Sequence, residues 1–302
     1  MEILVFGAGS MGSFFGGLLS VRHDVTLIGR KDHMDAVRTH GLRITGKTVR
    51  LVRPRTATRI PTRASPDLVI VATKSYETAA AVQSLRAFAR TAVFLTLQNG
   101  LDNADILART ATRVVAGTTA HGVMYLGPGE IRHAGLGDTT IGAWNEVGED
   151  AVVRLRDILD EAGIRTRITA DIRSELWAKL VVNAAINPLG ALAAVPNGRL
   201  VQDPDLRRLL YDVARETASV ARAAGALVDV DDLVRRARLV ARRTAANRAS
   251  MLQDLDRGHR TEIDAITGAV LREAERVGMQ APVNRVLFAL MKAREAALLQ
   301  PR

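Results

Sequence analysis

Residues 2–19 read EILVFGAGSMGSFFGGLL: a β-rich run, a glycine turn, then a helix-length stretch of small and apolar residues. The turn GAGSMG (7–12) has the spacing G-x-G-x-x-G. Alone that hexapeptide is weak, but between a strand and a helix it is a dinucleotide-binding fingerprint. Gly7 allows the tight turn, Gly9 lets the backbone approach a pyrophosphate, and Gly12 lets helix and strand pack closely. The helix N-terminus then offers its free N–H groups to the phosphates.

Working outward, ILVF (3–6), VTLI (25–28), LVIVA (68–72) and AVFLTL (92–97) read as strands. Their continuous apolar character suits a parallel sheet buried on both faces. Shorter β-like pieces follow, VVAGTTAHGVMYL, EIRHAG and DTTIGA, with a Gly-Pro-Gly turn at 127–129. They are expected to finish the sheet and add a hairpin. From about residue 170 the pattern becomes helical over 206–224, 261–277 and 283–299. The expected architecture is therefore α/β: a doubly wound nucleotide domain over 1–168 and an all-helical domain over 169–302. The Arg-rich stretch 43–63 matches no pattern.

The second strand ends in IGRK (28–31), about 20 residues past the fingerprint, where an NAD-selective site places an Asp or Glu. Arg30 and Lys31 stand there instead. A carboxylate would repel a 2′-phosphate, whereas a guanidinium grips one through paired hydrogen bonds, so the pattern predicts NADP(H). Ordinary surface roles for both residues stay open in so Arg-rich a chain. VATKSYET (71–78) and LQNGLDN (97–103) set Lys74 and Asn99 beyond the carboxyl ends of two strands, where ligands bind. Lys74 suits a phosphate or substrate carboxylate, and Asn99 the ribose or carboxamide near a nicotinamide. Asn-Gly is equally a turn dipeptide.

The bulk composition excludes several classes. The chain has 302 residues and no cysteine, so disulfides and thiolate chemistry are out; a cytoplasmic setting fits. No stretch approaches the roughly 20 unbroken apolar residues of a membrane span, and the N-terminus lacks a signal-peptide pattern. The formal charge is +10, but residues 1–168 and 169–302 each carry 21 basic and 16 acidic residues. The densest basic run, 235–248, has no interleaved aromatics, so it reads as a solvated helix face rather than a nucleic-acid surface. The histidines at 23, 33, 40, 121, 133 and 259 look scattered, and nothing suggests a metal site. Of 42 basic residues only Lys31, Lys47, Lys74, Lys179 and Lys292 are lysine. A lysine kept in such a chain is suspect of needing an ammonium that can give up its proton.

One of those lysines heads a polar ladder in SELWAKLVVNAAINPLGALAAVPNGR (174–199). Lys179, Asn183 and Asn187 stand four residues apart, on one face of a helix otherwise too apolar to be exposed. Buried polar groups without partners cost about 1–3 kcal/mol each, so the ladder means a polar network or a ligand. Pro188 is expected to end or kink the helix. Far downstream, NRASMLQDLDRGHRTEIDAI (247–266) holds Ser250 and Glu262. Glu262 lies near the start of the helical pattern, where a carboxylate is more often a cap than a catalyst.

Together GAGSMGSFFGGLL, VATKSYET, LQNG, LWAKLVVNAAINPLGAL, SMLQDLDRGHRTEIDAITG and the later Ala-Pro-x-Asn (281–284) resemble the ketopantoate reductase family over nearly the whole chain. The resemblance implies a Rossmann domain followed by a helical domain like the C-terminal one of 6-phosphogluconate dehydrogenase. It implies NADPH-dependent reduction of 2-dehydropantoate to (R)-pantoate, on the route to coenzyme A. It makes Lys179 the catalytic lysine and Glu262 its partner, overturning the capping reading. It makes Asn183, Asn187, Asn197, Ser250 and Asn99 substrate contacts. It assigns the cofactor to Gly7, Ala8, Gly9, Ser10, Met11 and Gly12, with Arg30, Lys74, Asn99 and Glu262. The implied partner is a small keto acid, with no nucleic acid, membrane or metal; a homodimer stays open. The alternatives are an NADP-dependent dehydrogenase for another 2-keto or 3-hydroxy acid, and a non-catalytic NADPH-binding regulator.

Overall fold

The computed structural model describes residues 1–145 and 147–299. They form two compact units: Met1–Gln98 with Asn103–Ile172, and Asn99–Asp102 with the chain from Arg173 onward. The first unit thus keeps residues 169–172, and four residues from its middle belong to the second.

In chain order the first unit begins with β1 (Glu2–Phe6), α1 (Ser10–Leu19), β2 (Asp24–Ile28), α2 (Lys31–His40), β3 (Leu42–Gly46), β4 (Arg50–Val52) and β5 (Arg55–Ala57). It continues with β6 (Leu68–Val71), α3 (Thr78–Leu85), β7 (Val93–Thr96), α4 (Asn103–Ala108) and β8 (Val114–Thr119). It closes with β9 (Gly122–Gly127), β10 (Glu130–Gly135), β11 (Thr139–Ala143), α5 (Glu149–Glu161) and β12 (Thr166–Ile168).

Eight strands make one sheet in the order β12-β11-β8-β7-β6-β1-β2-β5. All its pairings are parallel except β11 with β8. The strands are short apolar runs because both faces are covered; Ile3, Val5, Leu68 and Ile70 are all buried. From β1 the chain winds outward to β2 and β5, then returns to β6 on the other side of β1. That reversal opens a crevice beyond the carboxyl ends of β1 and β6, the usual ligand position in such sheets.

The remaining four strands form a second sheet, β4-β3-β10-β9. The expected hairpin is β9–β10, but it pairs with β3, from the Arg-rich stretch that matched no pattern. In β3 buried Leu42 and Ile44 flank exposed Arg43, so Arg43 stands on the face opposite the core. Phe14 and Phe15 of α1 are buried near this sheet, each contributing about 1.5–3 kcal/mol.

Under those rings, histidines far apart in sequence come together. His121 Nδ1 and His133 Nε2 share a hydrogen bond of 3.0 Å, and His133 Nδ1 meets Thr48 Oγ1 at 2.9 Å. The Phe14 ring lies 4.5 Å from His133 and 5.2 Å from His121, centroid to centroid. His33, also buried, accepts from the Gly129 amide and pairs with Ser13. Burial pushes the His121 imidazole down to about 4, helped by His133; burial lowers His133 and His33 as well.

The second unit holds α6 (Ile172–Ala193), α7 (Arg199–Gln202), α8 (Pro204–Ala223), α9 (Val230–Arg243), α10 (Ser250–Asp256), α11 (Thr267–Arg276) and α12 (Pro282–Leu299). Asp203 caps α8 by accepting the Asp205 and Leu206 amides, and Pro204 opens it. On α9, Leu233, Val234, Ala237 and Ala241 are buried while Arg235, Arg236, Arg238, Arg242 and Arg243 are exposed. The basic run is thus the outer face of an amphipathic helix. α6 lies at the centre. By length and composition it would cross a membrane, yet 78% of its most apolar window is buried inside the fold.

Of the two outcomes expected at Pro188, an end or a kink, helix α6 corrects the first: it continues to Ala193. Proline has no N–H to donate and crowds the carbonyl four residues back, which costs about 3 kcal/mol in an isolated helix. Here the flanking residues Ala184, Ala185, Leu189 and Ala191 are buried in the core, and that packing keeps the helix going.

The histidine cluster makes the fold acid-sensitive. A group whose pKa is depressed by folding stabilises above its unfolded value, near 6.5, and loses that contribution as pH falls toward the folded value, about 4 for His121. Chemical denaturation should show stability falling by about 2 kcal/mol between pH 7 and pH 5 from His121 alone. His121→Gln should flatten that slope; an equally steep slope in the variant would refute the assignment.

Candidate active site

Two groups of residues can do chemistry, one in each unit. In the first unit the glycine turn follows β1 directly. Gly7 has φ +106°, and a Cβ there would lie 2.5 Å from the Thr73 backbone nitrogen. A Cβ on Gly12 would sit 2.2 Å from the Gly7 carbonyl oxygen. The fold itself therefore demands both. Gly9 differs: a Cβ there would meet no atom within 4 Å, and its φ of −84° is open to any residue. Nothing in the protein requires glycine at position 9, so the space over it suits a close-lying ligand.

Gly9 is also the N-cap residue of α1, which no side chain caps. The amides of Ser10, Met11 and Gly12 begin the helix and have no intrahelical acceptor. Ala8 is committed elsewhere, its amide donating to Ile28 O at 2.8 Å. Free amides, the positive end of the helix and an open backbone fit a pyrophosphate. Lys74 follows β6, on the strand-end side where Thr73 packs on Gly7, and is half-buried.

At the end of β2 the two basic residues separate. Lys31 is tied to Asp35 one turn along α2, and Arg38 holds the other oxygen of that carboxylate at 2.6 Å. Arg30 precedes the helix in extended conformation and is exposed. Arg30 is thus the cation at this strand end that is not committed to α2.

In the second unit, α6 carries Lys179 and Asn183, both half-buried, and Asn187, buried one turn further on. Glu262 is buried to 7% exposure. It is neither the surface residue nor the helix cap its position suggests, because α11 starts only at Thr267 and residues 261–266 form a turn before it. Asn99 donates to Glu262 Oε2 at 3.0 Å. The loop carrying Asn99 is pressed against that turn: Gly100, with φ +99°, leaves only 2.7 Å between a would-be Cβ and the Ala265 carbonyl oxygen. Arg272 pins the same loop through Asp102 at 2.5 Å.

Burial pushes the Lys179 ammonium down to about 8, and the Glu262 carboxylate opposes the shift. An amine titrating there is charged at neutral pH yet gives up a proton far more readily than an ordinary lysine. A lysine so placed, with the Glu262 carboxylate acting on it and Asn99 holding that carboxylate, has the chemistry of a general acid.

The remaining sequence-derived residues lie differently. Asn197 donates through Nδ2 to Thr244 Oγ1 at 2.9 Å, and its amide donates to Asn247 O at 2.9 Å. Its buried Oδ1 has no partner among the described residues. Asn197 thus ties the α6–α7 connection to the end of α9 and still has one acceptor to spare. Ser250 is exposed at the first position of α10. The pairing of Asn99 with Glu262, across 163 residues, had no signal in the sequence beyond the Asn-Gly dipeptide.

With this geometry in view, the likeness to known proteins is extensive. Residues 3–146 match the family model for ketopantoate reductase PanE/ApbA, and residues 171–295 match that for its C-terminal part. A 2-dehydropantoate 2-reductase of Halobacterium salinarum is 42% identical over 298 residues, covering 97% of this chain and 98% of that one. One from Pyrococcus horikoshii is 38% identical over 297 residues, 98% of each chain. Among solved structures, a PanE/ApbA family ketopantoate reductase from Ralstonia eutropha superposes with a TM-score of 0.90 at 33% identity, covering 99% of both chains. A D-mandelate dehydrogenase, solved with NADH and anilino(oxo)acetate, superposes with a TM-score of 0.93 at 26% identity, again over 99% of both. The chain belongs to the ketopantoate reductase PanE/ApbA family.

The glycines separate by experiment. Gly12→Ala should destabilise the protein strongly, by about 3 kcal/mol or more, because backbone must move. Gly9→Ala should leave the melting temperature within about 1–2 °C of wild type while weakening dinucleotide binding, read by calorimetry. Undiminished dinucleotide binding in Gly9→Ala would show that no ligand approaches that backbone.

Proposed function

We propose that this enzyme reduces 2-dehydropantoate to (R)-pantoate with NADPH, and the observation that carries the reading is the Lys179–Glu262–Asn99 cluster in a family of ketopantoate reductases. Residues 1–168 bind the dinucleotide and residues 169–302 supply the catalytic groups. The amides of Ser10, Met11 and Gly12 hold the pyrophosphate, and Gly7, Ala8 and Gly9 shape the turn beneath it. Arg30 binds the 2′-phosphate, since it stands where an NAD-selective site places a carboxylate, and Asp32 follows only in the first turn of α2. Lys74 adds a second positive charge near the cofactor.

When bound, the reduced nicotinamide supplies the hydride equivalent for the substrate's C2 carbonyl. Negative charge then builds on the carbonyl oxygen, and the Lys179 ammonium stabilises it and donates the proton. Glu262 keeps Lys179 charged despite its burial. Asn99 holds Glu262 through its Nδ2. Asn183, Asn187, Asn197 and Ser250 bind the substrate's carboxylate and hydroxyl and fix its orientation. A cytoplasmic enzyme acting on small molecules, as a homodimer, fits this role.

A second reading is favoured by one observation: the fold matches D-mandelate dehydrogenase as closely in backbone as it matches a ketopantoate reductase. The chain would then reduce a different 2-keto acid with the same Lys179 chemistry.

A spectrophotometric assay of nicotinamide oxidation with ketopantoate and with phenylglyoxylate, using NADPH and NADH, tests both readings. Ketopantoate with NADPH should give the highest kcat/KM; preference for phenylglyoxylate would favour the second reading, and no turnover with any keto acid would refute both. Lys179→Ala should lower kcat by about 10²–10⁴-fold with NADPH affinity near normal. The wild-type kcat for reduction should fall as pH rises through about 8, where Lys179 loses its proton. Arg30→Ala should weaken NADPH binding by about 10- to 100-fold and leave NADH binding unchanged; equal losses for both cofactors would remove Arg30 from the 2′-phosphate.

A further inference from the structure

Near the end of α12 a carboxylate is buried that no step above uses. Glu295 is 4% exposed and accepts the backbone amide of Thr261 through Oε1 at 2.6 Å. Burying a carboxylate costs several kcal/mol unless it is well paired, so a buried Glu that accepts a loop amide on one oxygen and has Lys292 3.6 Å from the other is not ordinary core packing. Thr261 is the residue before Glu262. Its Oγ1 accepts the Ile263 amide at 3.2 Å, and Glu262 O accepts the Ile266 amide at 3.0 Å. The bond from Glu295 therefore anchors the start of the turn that presents Glu262.

The same stretch of α12 holds two further points. Lys292 binds Asp264 at 3.0 Å, a carboxylate also gripped by Arg260 at 2.9 Å, and lies 3.6 Å from Glu295 Oε2. Asp264 sits two residues past Glu262, so the turn is held on both sides. Arg294 donates to the carbonyls of Ala191 and Leu192 at 2.6 and 2.9 Å, closing the C-terminal end of α6. One turn of helix thus braces both the segment carrying Glu262 and the helix carrying Lys179.

We propose that Glu295 is a positioning residue for the reaction: by accepting the Thr261 amide it fixes the backbone that brings the Glu262 carboxylate to bear on Lys179. This rests on Lys179 being the general acid, as argued above. Reach is what matters, because the acceptor must meet a main-chain N–H; the negative charge is secondary.

The chain's five lysines make the test direct. Enzyme carrying ¹³Cε-lysine gives five resonances, and Lys179→Ala identifies that of Lys179 by its loss. In the wild type this resonance should titrate near 8. Glu262→Gln, which removes the carboxylate charge, should move the midpoint down and sets the scale. Glu295→Ala should move it in the same direction and lower kcat on the order of 10- to 100-fold, with the Kd for NADPH unchanged. Glu295→Gln keeps an acceptor at the same reach and should restore the wild-type midpoint, whereas Glu295→Asp, one methylene shorter, should not. This pair decides the matter even if the alanine variant fails to fold. A wild-type midpoint in Glu295→Ala, or restoration by Asp and not by Gln, overturns the proposal. Normal turnover in Lys179→Ala would instead overturn the reading of the active site on which it stands.

Discussion

A lysine ammonium on an apolar helix is pulled two ways, and the second unit is arranged around that conflict. Desolvation drives Lys179 toward the neutral amine, while the Glu262 carboxylate draws it back toward the cation. Neither effect alone holds the amine near 8: full exposure would leave it near its ordinary value, and burial without a carboxylate would strip its charge. The balance near neutrality depends on the position of Glu262, since the attraction between two charges in a partly desolvated site changes steeply with distance. That is why so much backbone is committed to one turn. Residues 261–266 are held by Glu295, by the Asp264 ion pairs and by the Asn99 loop, although the turn belongs to no regular element.

The first unit meets a different constraint, that of packing a helix between two sheets. Its central strands were legible because burial on both faces makes them continuous apolar runs, as in Leu68–Val71. The second sheet was not. Strand β3 puts Arg43 on its outer face opposite exposed Leu51 of β4, and with three to five residues each the two strands are too short to show a period against an Arg-rich background. β4 is a strand through its pairing with β3, and the long-range pairing of β10 with β3 joins both to the sheet. The paired histidines were invisible for a related reason. His121 and His133 stand twelve residues apart in sequence, and it is the β9–β10 hairpin that brings them together.

The site was partly readable for similar reasons. Lys179, Asn183 and Asn187 lie on one helix, where spacing translates directly into a shared face. Glu262 did not yield to local reading: a carboxylate just before a helical pattern looks like a cap, and only tertiary contacts bury it. At Pro188 local sterics allowed an end to the helix, and the surrounding core carries it through to Ala193. Family resemblance singled out Glu262 where local physics did not, and the structure buries it against Asn99. Neither route pointed to Glu295 or to the grip of Arg294 on α6, because a lone Glu or Arg in an amphipathic helix has no distinguishing pattern.

Four residues bear on how such a protein can be taken apart. Asn99–Asp102 are encoded between two segments of the nucleotide-binding unit but are built into the helical one. The two units are therefore not beads on a string. A gene fragment starting at Arg173 would encode Glu262 without the amide of Asn99 that binds it, and Arg272 without Asp102. Recombination that exchanged the helical half between relatives at a single crossover would carry the same defect, unless the incoming turn accepted the resident loop. Residues 99–102 and the turn at 261–266 are thus expected to change in step during evolution, as a lineage-specific pair inherited across the boundary between the units.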